Sequence, residues 1–464
     1  MLSVRSLPSA LPIPAIRVAP GGRYFETADG DPFLFLGPND AISWPGLAGL
    51  YRRRDPAAAE AYMAGLARSG VTVLRLMLEY AHRDGWYFEK PCGTFNPVLV
   101  RLWDDLFALC ARHGIRILLT PWDTFWMARR WRKHPYNAAN GGPAAAPADF
   151  FTSEKVIQAT LRRFEFVVER WGGDGTLAAW DLFNEIHPHW GGTVACQSEV
   201  IGRLSAGVRE MERNRWGFTR PQTVSVFGPD PAGEYADLVL RHPSLDFATT
   251  HIYQGAIDHP HDTVAPALTM AHWVRRAVES AAPGRPFLDT EHGPIHLFND
   301  HRRMLEEPFD DEYERRLMWA HLASGGAGSG MRWPARHPHL LTPGMLRALA
   351  GMAEFARRID WRGFTPREAF LEAGPGSEGV LTFGCRDKSQ AVLWLLRDTR
   401  TEHAPGEITL RLSGMRPGRY RVTAWNTETN EPLEDQKADA AEDGALRLTA
   451  PLAREAALAV TPSE

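Results

Sequence analysis

The stretch LAAWDLFNE at residues 177–185 is an apolar run that ends abruptly in an amide and a carboxylate. Its length and apolar content are typical of a buried β-strand in a parallel sheet, where both faces are covered. On either side of it, residues 153–171 and 198–216 show the spacing of amphipathic helices. The chain therefore alternates between helix and strand here, which predicts a parallel sheet.

The same alternation extends through the first two thirds of the chain. Eight strands, numbered one to eight below, are predicted at residues 32–37, 71–78, 115–122, 177–185, 223–228, 247–253, 286–291 and 326–333. Helices are predicted at residues 57–69, 97–113, 153–171, 198–216, 265–281, 310–323 and 343–358, and only the unit after residue 228 is short of a full helix. This order indicates a (β/α)8 barrel, an α/β fold of the TIM type. Residues 16–33 read as a hairpin that lies against the barrel floor.

Beyond residue 361 the pattern changes to short alternating strands separated by turn residues, with no helical stretch. A smaller all-β sandwich is the natural interpretation. We therefore predict two domains, a (β/α)8 barrel with its hairpin at residues 1–364 and a β-sandwich at residues 365–464. The second domain shows no clear aromatic platform for sugar, so a packing role is predicted for it.

Composition excludes several classes of function. The 464 residues are 44% hydrophobic and 23% charged, with a formal net charge of −4 and no basic block, so nucleic acid is a poor partner. No window approaches the roughly 20 apolar residues of a membrane span. Residues 1–18 contain three prolines and no sustained apolar stretch, which favours a cytoplasmic protein, or a secreted one if the N-terminus was trimmed. The four cysteines lack C-x-x-C spacing and are expected to be free thiols.

Polar side chains gather at the predicted carboxyl ends of the barrel strands, where this fold places its chemistry. They are Arg75, Asp123, Asn184, Glu185, His251, Tyr253, Glu291, His292 and Arg332, with Trp333 beside the last. Glu185 and Glu291 end strands four and seven and should face each other across the barrel mouth. Two carboxylates in one cleft suit glycoside hydrolysis, and a separation of about 5 to 5.5 Å would mean retention. Either residue alone would more often be a helix cap or a surface acid.

Arg75 interrupts the otherwise apolar strand two, in VLRLML. A guanidinium is seldom buried without a carboxylate, and Glu291 is the attractive partner. Such a pair would lower the pKa of Glu291 and keep it ionised. The alternative is a salt bridge to Glu79 or Asp123 that only stabilises the barrel.

His251 and Tyr253 share one face of strand six because side chains alternate along a strand. Tyr253 is placed to donate its hydroxyl to Glu291, and His251 to bond either a sugar hydroxyl or Glu185. A buried histidine with no role in the site is the alternative for His251. Trp333, at the end of strand eight, offers a flat apolar face for a pyranose ring.

These motifs carry a resemblance. WDLFNE, HIY, FLDTEHG and the tryptophan at the end of the last strand resemble the glycoside hydrolases of clan A, particularly the family 5 cellulase and mannanase type, over residues 30–360. The resemblance implies a retaining β-glycosidase that needs no cofactor or metal and acts on an oligosaccharide, a polysaccharide or another β-glycoside. It implies Glu185 as acid/base, Glu291 as nucleophile and Asn184 as the residue that bonds the sugar 2-hydroxyl, within a shell of Arg75, His251, Tyr253 and Trp333.

The sequence departs from that family at one position. Family 5 enzymes usually carry a histidine after strand three, where this chain has Asp123. A different hydroxyl pattern in the bound sugar is expected from this exchange. The histidine pairs at residues 187–189, 259–261 and 337–339 flank prolines and lack an acid cluster, so they are not expected to bind metal. A catalytically inactive carbohydrate-binding barrel is the alternative to an enzyme.

Overall fold

The computed structural model describes residues 13–79, 86–186, 192–253, 262–294, 305–334, 339–401 and 405–463, apart from the side chain of Trp126. The strands before the last domain are β1 Ile16–Val18, β2 Phe25–Thr27, β3 Pro32–Phe33, β4 Phe35–Leu36, β5 Asn39–Asp40, β6 Val73–Met77, β7 Arg116–Thr120, β8 Leu177–Asp181, β9 Gln222–Thr223, β10 Ala248–Tyr253, β11 Phe287–Gly293 and β12 Gly328–Gly330. The helices are α1 Pro56–Arg68, α2 Pro97–His113, α3 Thr124–Arg129, α4 Glu154–Trp171, α5 Val194–Trp216, α6 Glu234–Ala236, α7 Val264–Ser280, α8 Glu307–Ala323 and α9 Pro343–Ala356.

The parallel strands close into a ring. β12 pairs with β4, and a parallel ladder runs from β5 through β6, β7 and β8 to β9. β10 pairs with β11, and backbone bridges from Phe227 to His251 and from His292 to Arg332 join the remaining edges. Strand one thus comprises β4 and β5, and strands two to eight are β6 to β12. The predicted (β/α)8 barrel is confirmed.

Several predicted strands are longer than those observed; strand four ends at Asp181, and strand eight covers only Gly328–Gly330. Residues 32–37 are divided between β3, which belongs to the hairpin, and β4, which belongs to the barrel. Strand five ends at Thr223, and beyond it the N–H of Ser225 is shared between the Asp181 carboxylate and the carbonyl oxygen of Phe183. As predicted, the segment after residue 228 holds little helix, only α6 and a π-turn at Asp237–Arg241.

Strand eight is short and rich in glycine for a steric reason. Gly328 has φ of 154°, and a Cβ on it would lie 2.0 Å from the carbonyl oxygen of Phe35. Only glycine lets the last strand approach the first this closely. The weak strand propensity of this segment is therefore the condition for closing the barrel.

The amino-terminal hairpin lies against the amino ends of the barrel strands. β1, β2 and β3 form an antiparallel sheet. The ring of Phe25 packs against Phe35 at 4.6 Å and Phe247 at 5.4 Å between centroids. Aromatic packing thus covers the end of the barrel opposite the carboxyl ends of its strands.

The C-terminal domain is all-β, as predicted, but its hydrogen bonds join all strands into one ten-stranded sheet in place of two separate sheets. The strands are β13 Arg367–Glu368, β14 Leu371–Ala373, β15 Val380–Arg386, β16 Ala391–Arg397, β17 Gly406–Leu412, β18 Gly418–Asn426, β19 Glu431–Pro432, β20 Gln436–Ala440, β21 Leu446–Leu452 and β22 Glu455–Pro462. One face encloses its own core, including Leu393, Leu410 and Leu448. The other face buries Trp394 and Phe383 in the core of the barrel domain.

Within the described part of the chain, no helix combines the length and apolar character needed to cross a membrane. All four cysteines are free thiols. The domain boundary near residue 364 falls between the end of α9 and the start of β13, and it stays a prediction.

Candidate active site

Two glutamates meet at the carboxyl-terminal mouth of the barrel. One carboxylate oxygen of Glu185, one of Glu291 and a ring nitrogen of His251 all lie within 4.8 Å of one another. Both glutamates are buried, with 9% and 4% of their surface exposed. Carboxyl groups about 5 to 5.5 Å apart are typical of retaining glycosidases, whereas inverting enzymes separate them by about 6.5 to 9.5 Å. The geometry favours the retaining arrangement.

The backbone holds Glu185 in an uncommon conformation. Its φ is 50°, in the left-handed region that a residue with a side chain seldom adopts. The Glu185 N–H donates to Ser225 Oγ at 3.1 Å, and Thr124 Oγ1 lies 2.9 Å from its carbonyl oxygen and 2.5 Å from that of Asn184. Neighbouring strands therefore fix the turn, and such strain persists only where the surroundings enforce it.

A β-bulge positions Glu291. Along β10 and β11, Thr250 lies opposite Asp289 but His251 lies opposite Glu291, so Thr290 is the extra residue. The Asp289 carboxylate accepts the N–H of Glu291 at 3.3 Å and that of Ile252 at 3.2 Å. Bulges redirect side chains, and this one is held by a carboxylate directly beneath the glutamate.

Arg75 is fully buried and joins four polar side chains. Its guanidinium donates to Asn39 and Glu291, each at 2.8 Å, and to Asp181 and Asn184, each at 2.7 Å. Although burial lowers its pKa, the carboxylates of Asp181 and Glu291 hold that pKa above its ordinary value. The arginine is therefore charged, and it holds the Glu291 carboxylate and the Asn184 amide in position relative to each other.

The alternative partners considered for Arg75 lie elsewhere. Glu79 pairs instead with Arg163 at 2.8 Å. Asp123 accepts a hydrogen bond from Asn184 Nδ2 at 3.0 Å. An amide nitrogen carries two hydrogens, so Asp123 orients Asn184 while leaving one hydrogen for a further acceptor. The residue that departs from the family pattern thus acts on the neighbouring amide.

His251 and Tyr253 each contact one glutamate. His251 Nδ1 lies 2.9 Å from Glu185 Oε1 and 3.7 Å from Glu291 Oε2. The Tyr253 hydroxyl donates to Glu291 Oε1. Of the two roles considered for His251, holding Glu185 is therefore the one this geometry presents.

The two glutamates differ in their electrostatic surroundings. Burial raises the pKa of Glu185 to about 7, against the opposing charge of Arg75. Burial also raises the pKa of Glu291, although His251 and Arg75 lower it. Arg75 lowers the pKa of Glu291, as expected, but burial outweighs the cation and the net shift is upward. Glu291 nonetheless accepts hydrogen bonds from Arg75 and Tyr253, which stabilise its ionised form. When the two glutamates hold one proton between them, the proton is therefore expected on Glu185.

Trp333 is more enclosed than expected of a sugar platform. It is 5% exposed and packs edge to face against Trp44 at 4.9 Å between ring centroids. Trp86 and Trp122 are also buried. Trp190, the Trp126 side chain and the histidine pairs, except for His339, lie outside the described residues.

Sequence reasoning missed three buried contributors, Asp181, Asn39 and Ser225. Asp181 accepts from Arg75 and from Ser225 Oγ at 3.0 Å. Asn39 donates to the carbonyl oxygens of Thr290 and Met331, on strands seven and eight. A carboxylate inside the apolar run LAAWDLF was the available signal for Asp181, of the same kind that pointed to Arg75.

A second polar network lies behind Glu291. His292 is 2.7 Å from Asp289 and 3.2 Å from Glu314, and Arg332 bonds Glu314 at 3.0 Å and Asp310 at 2.6 Å. Burial opposes the charge on His292, but Glu314 and Asp289 raise its pKa to about 9. The polar residues predicted at the ends of strands seven and eight thus divide into the site and this supporting network.

Among the described residues, one group has ligand atoms close enough together for a metal ion, and it consists of Glu185, His251 and Glu291. However, Arg75 and Tyr253 already donate to the two oxygens of Glu291. A cation placed there would be repelled by the buried guanidinium. The three side chains are better suited to moving protons than to holding an ion.

The comparisons with known proteins agree with this geometry. No protein-family model matches the chain. Among curated proteins it is similar to mannan endo-1,4-beta-mannosidase 3 of Oryza sativa subsp. japonica, 28% identical over 263 residues, which cover 52% of this chain and 56% of that protein. A probable mannan endo-1,4-beta-mannosidase F of Aspergillus flavus is 24% identical over 257 residues, covering 49% and 52%. The chain thus spans about half the length of the curated relatives it matches.

Among solved structures, the chain is similar to a glycoside hydrolase family 5 protein from Bacteroides vulgatus, with a TM-score of 0.63, 12% identity and coverage of 97% and 92% of the two chains. A family 5 mannosidase from Rhizomucor miehei, solved in complex with mannosyl-fructose, gives a TM-score of 0.53 and 14% identity over 73% of this chain and 96% of that one. These structural likenesses confirm the predicted fold. Together with the mannosidase relatives, they bear out the predicted resemblance to glycoside hydrolases of the family 5 type.

Proposed function

We propose that this protein is a retaining β-glycoside hydrolase that works by double displacement between Glu291 and Glu185. The observation that supports this most strongly is the close approach of two buried carboxyl groups with unequal surroundings. One is bonded by an arginine and a tyrosine, as a nucleophile requires, and the other keeps its proton to about pH 7, as a general acid requires.

In the first step a Glu291 oxygen attacks the anomeric carbon while Glu185 gives its proton to the departing glycosidic oxygen. The carbon–oxygen bond breaks as the ester to Glu291 forms, with inversion at the anomeric carbon. In the second step Glu185 takes a proton from water, and that water displaces Glu291 with a second inversion. The β configuration is therefore retained.

The neighbours divide the remaining work. Arg75 and Tyr253 orient Glu291 through its two oxygens. His251, whose pKa is lowered by burial, is neutral and orients Glu185 through Nδ1. Asn184, held by Asp123 and Arg75, presents its remaining N–H to the sugar 2-hydroxyl. Each of these contacts positions a reacting group before substrate arrives, which reduces the cost of reaching the transition state.

The relatives support a proposal for the substrate class. Those named above are mannan endo-1,4-beta-mannosidases and a mannosidase. We therefore propose a β-mannoside oligosaccharide or polysaccharide as substrate. Asp123, acting on the amide at the 2-hydroxyl, is the residue expected to tune selection at that carbon, where mannose and glucose differ.

The test is a screen of purified protein against mannan, glucan, xylan and aryl β-glycosides, run beside Glu291→Ala. We expect turnover of the β-mannosides, loss of that turnover by orders of magnitude in the variant, and no change on adding EDTA. Sugar binding without turnover across the whole screen would support the inactive carbohydrate-binding alternative and contradict the proposal.

A further inference from the structure

Two buried hydroxyl groups hold the turn that carries Glu185. One belongs to Thr124, which follows strand three, and the other to Ser225, which follows strand five. These strands lie on either side of strand four in the barrel, and both side chains are fully buried. A buried hydroxyl is stable only with hydrogen-bond partners, and in both residues the partners include backbone groups of the turn. The turn is therefore held from both neighbouring strands.

Ser225 holds the amide side of the turn. Its Oγ accepts the N–H of Glu185 at 3.1 Å, and its carbonyl oxygen accepts the N–H of Ile186 at 2.9 Å. The Ser225 hydroxyl in turn donates to Asp181 Oδ2 at 3.0 Å, and this carboxylate oxygen also accepts from Arg75. Donation to a carboxylate strengthens a hydroxyl as an acceptor. The Glu185 amide is thus fixed, through one serine, to a buried ion pair.

Thr124 holds the carbonyl side of the same turn. Its Oγ1 lies 2.5 Å from the carbonyl oxygen of Asn184 and 2.9 Å from that of Glu185. A hydroxyl has one hydrogen, so the two oxygens share it. The backbone of the preceding residue, Asp123, bridges that of Asn184, which keeps Thr124 in register with the turn. The two hydroxyls thus act on opposite sides of one short backbone segment.

Glu185 depends on these contacts because its backbone is strained. Its φ of 50° lies in the left-handed region, which a residue with a side chain seldom adopts and keeps only where its surroundings enforce it. A turn that relaxes moves the carboxyl group with it. A general acid must lie within hydrogen-bond reach of the atom that it protonates. Glu291 is carried by strand seven and has its own contacts, so relaxation of this turn affects proton donation first.

We propose that Ser225 and Thr124 are positioning residues for the general acid, and that their hydroxyls hold the strained turn from which Glu185 reaches the glycosidic oxygen. This inference rests on the proposed function and adds two residues that act on the reaction through Glu185. Its consequence is selective. Without either hydroxyl, protonation of the leaving group weakens, whereas attack by Glu291 on a sugar with an activated leaving group is retained.

The test varies the leaving group while the glycone stays the same. Ser225→Ala and Thr124→Val each remove one hydroxyl at nearly constant volume. The quantity measured is kcat/KM, which reports the free energy of the first transition state relative to free enzyme and substrate. We expect it to fall roughly 3- to 10-fold on phenyl β-mannoside and on β-1,4-linked mannotriose, whose leaving groups need a proton. On 2,4-dinitrophenyl β-mannoside, which needs little proton donation, it should stay close to the wild-type value.

Ser205→Ala is the matched control, because it removes another fully buried serine hydroxyl, one that donates to the carbonyl oxygen of Ser244 from helix α5. It should leave the dependence on the leaving group unchanged. Rates are normalised to the fraction of each protein that an activated 2-deoxy-2-fluoro-β-mannoside labels, so protein that fails to fold does not enter them.

Two results would overturn the positioning role and leave the hydrolase intact. One is an equal loss on good and poor leaving groups in Ser225→Ala and Thr124→Val, and the other is an unchanged rate on all substrates in both variants. Wild-type protein that is inactive on every mannoside would instead overturn the proposed function, and the positioning role with it.

Discussion

Glu185 and Glu291 are the same kind of side chain, and their neighbours give them different chemistry. Both are buried, which raises the pKa of each. Only Glu291 is bonded directly by a cation, Arg75. Glu185 is bonded by His251, which burial keeps neutral. The proposed assignment of acid and nucleophile therefore rests on contacts at the level of single atoms.

At this scale the prediction concerns pH. Because Glu185 must be protonated to donate and its pKa is about 7, kcat on an oligosaccharide should decline as the pH rises through about 7. In Glu185→Gln, the turnover of an aryl glycoside with a good leaving group should not show this decline above about pH 7. Asp40 is the control, because burial raises its pKa to about 7 as well while Tyr62 bonds it. Asp40→Asn should still show the decline of kcat above about pH 7. If the decline disappears in this variant, it belongs to Asp40 and not to Glu185.

Several residue contacts could be anticipated from the sequence. A buried arginine needs a carboxylate, which predicts the contact of Arg75 with Glu291. The two-residue period of a strand puts His251 and Tyr253 on one face, which predicts the contact of Tyr253 with Glu291. The direction of the Glu291 pKa could not be anticipated, because depth of burial is set by the whole barrel.

At the scale of elements, the bulge in β11 decides where Glu291 stands. Asp289 accepts the backbone N–H groups that the bulge releases, and its charge is balanced by His292. A carboxylate that remained unpaired in this position would be costly. The strand's shape thus depends on a buried charge network that extends to Glu314.

We predict that His292→Gln removes a pH-dependent part of the stability. The pKa of His292 is raised to about 9 when folded, so its contribution is full below the unfolded pKa of about 6.5 and is lost as the pH rises through about 9. The melting temperature of the wild type should fall across that range, and that of the variant should fall less. His134→Gln is the control, since burial lowers the pKa of His134 to about 3. Equal slopes in wild type and His292→Gln would contradict the charge on His292.

Element boundaries show what patterns convey and what they miss. Helices such as α2 and α4 match their predictions to within a residue, because their apolar spacing and caps are local signals. Strand five was predicted too long because an apolar run does not reveal that Ser225 turns to Asp181. The single continuous sheet of the last domain likewise depends on pairing between distant strands.

At the scale of the whole molecule, the C-terminal sheet is packed onto the barrel through apolar and charged contacts. Trp394 lies in the barrel-side core. Glu455 of β22 is buried and accepts hydrogen bonds from Arg315 and Arg316 of α8. Although burial opposes it, these two arginines lower the pKa of Glu455 to about 2. The packing role expected of this domain is consistent with these contacts.

Removing that carboxylate should weaken the molecule without altering its site. We predict that Glu455→Gln lowers the free energy of unfolding by about 1 to 3 kcal/mol, because Arg315 and Arg316 lose a buried charged acceptor although Arg316 keeps its pair with Glu312. Chemical denaturation measures this, and kcat of the folded variant should match the wild type. Glu372→Gln, which breaks an exposed pair with Arg411 in the same sheet, should change the stability little. A loss as small as that of the control would mean that the interface does not depend on this pair.

The central claim is that Glu291 forms a covalent bond to the sugar, and trapping that bond tests it most directly. Protein incubated with an activated 2-deoxy-2-fluoro-β-mannoside should gain the mass of one fluorosugar, and peptide mapping should place it on Glu291. The label should be absent from Glu291→Gln. Turnover of mannosides without a trapped adduct, or an adduct on another residue, would contradict the account.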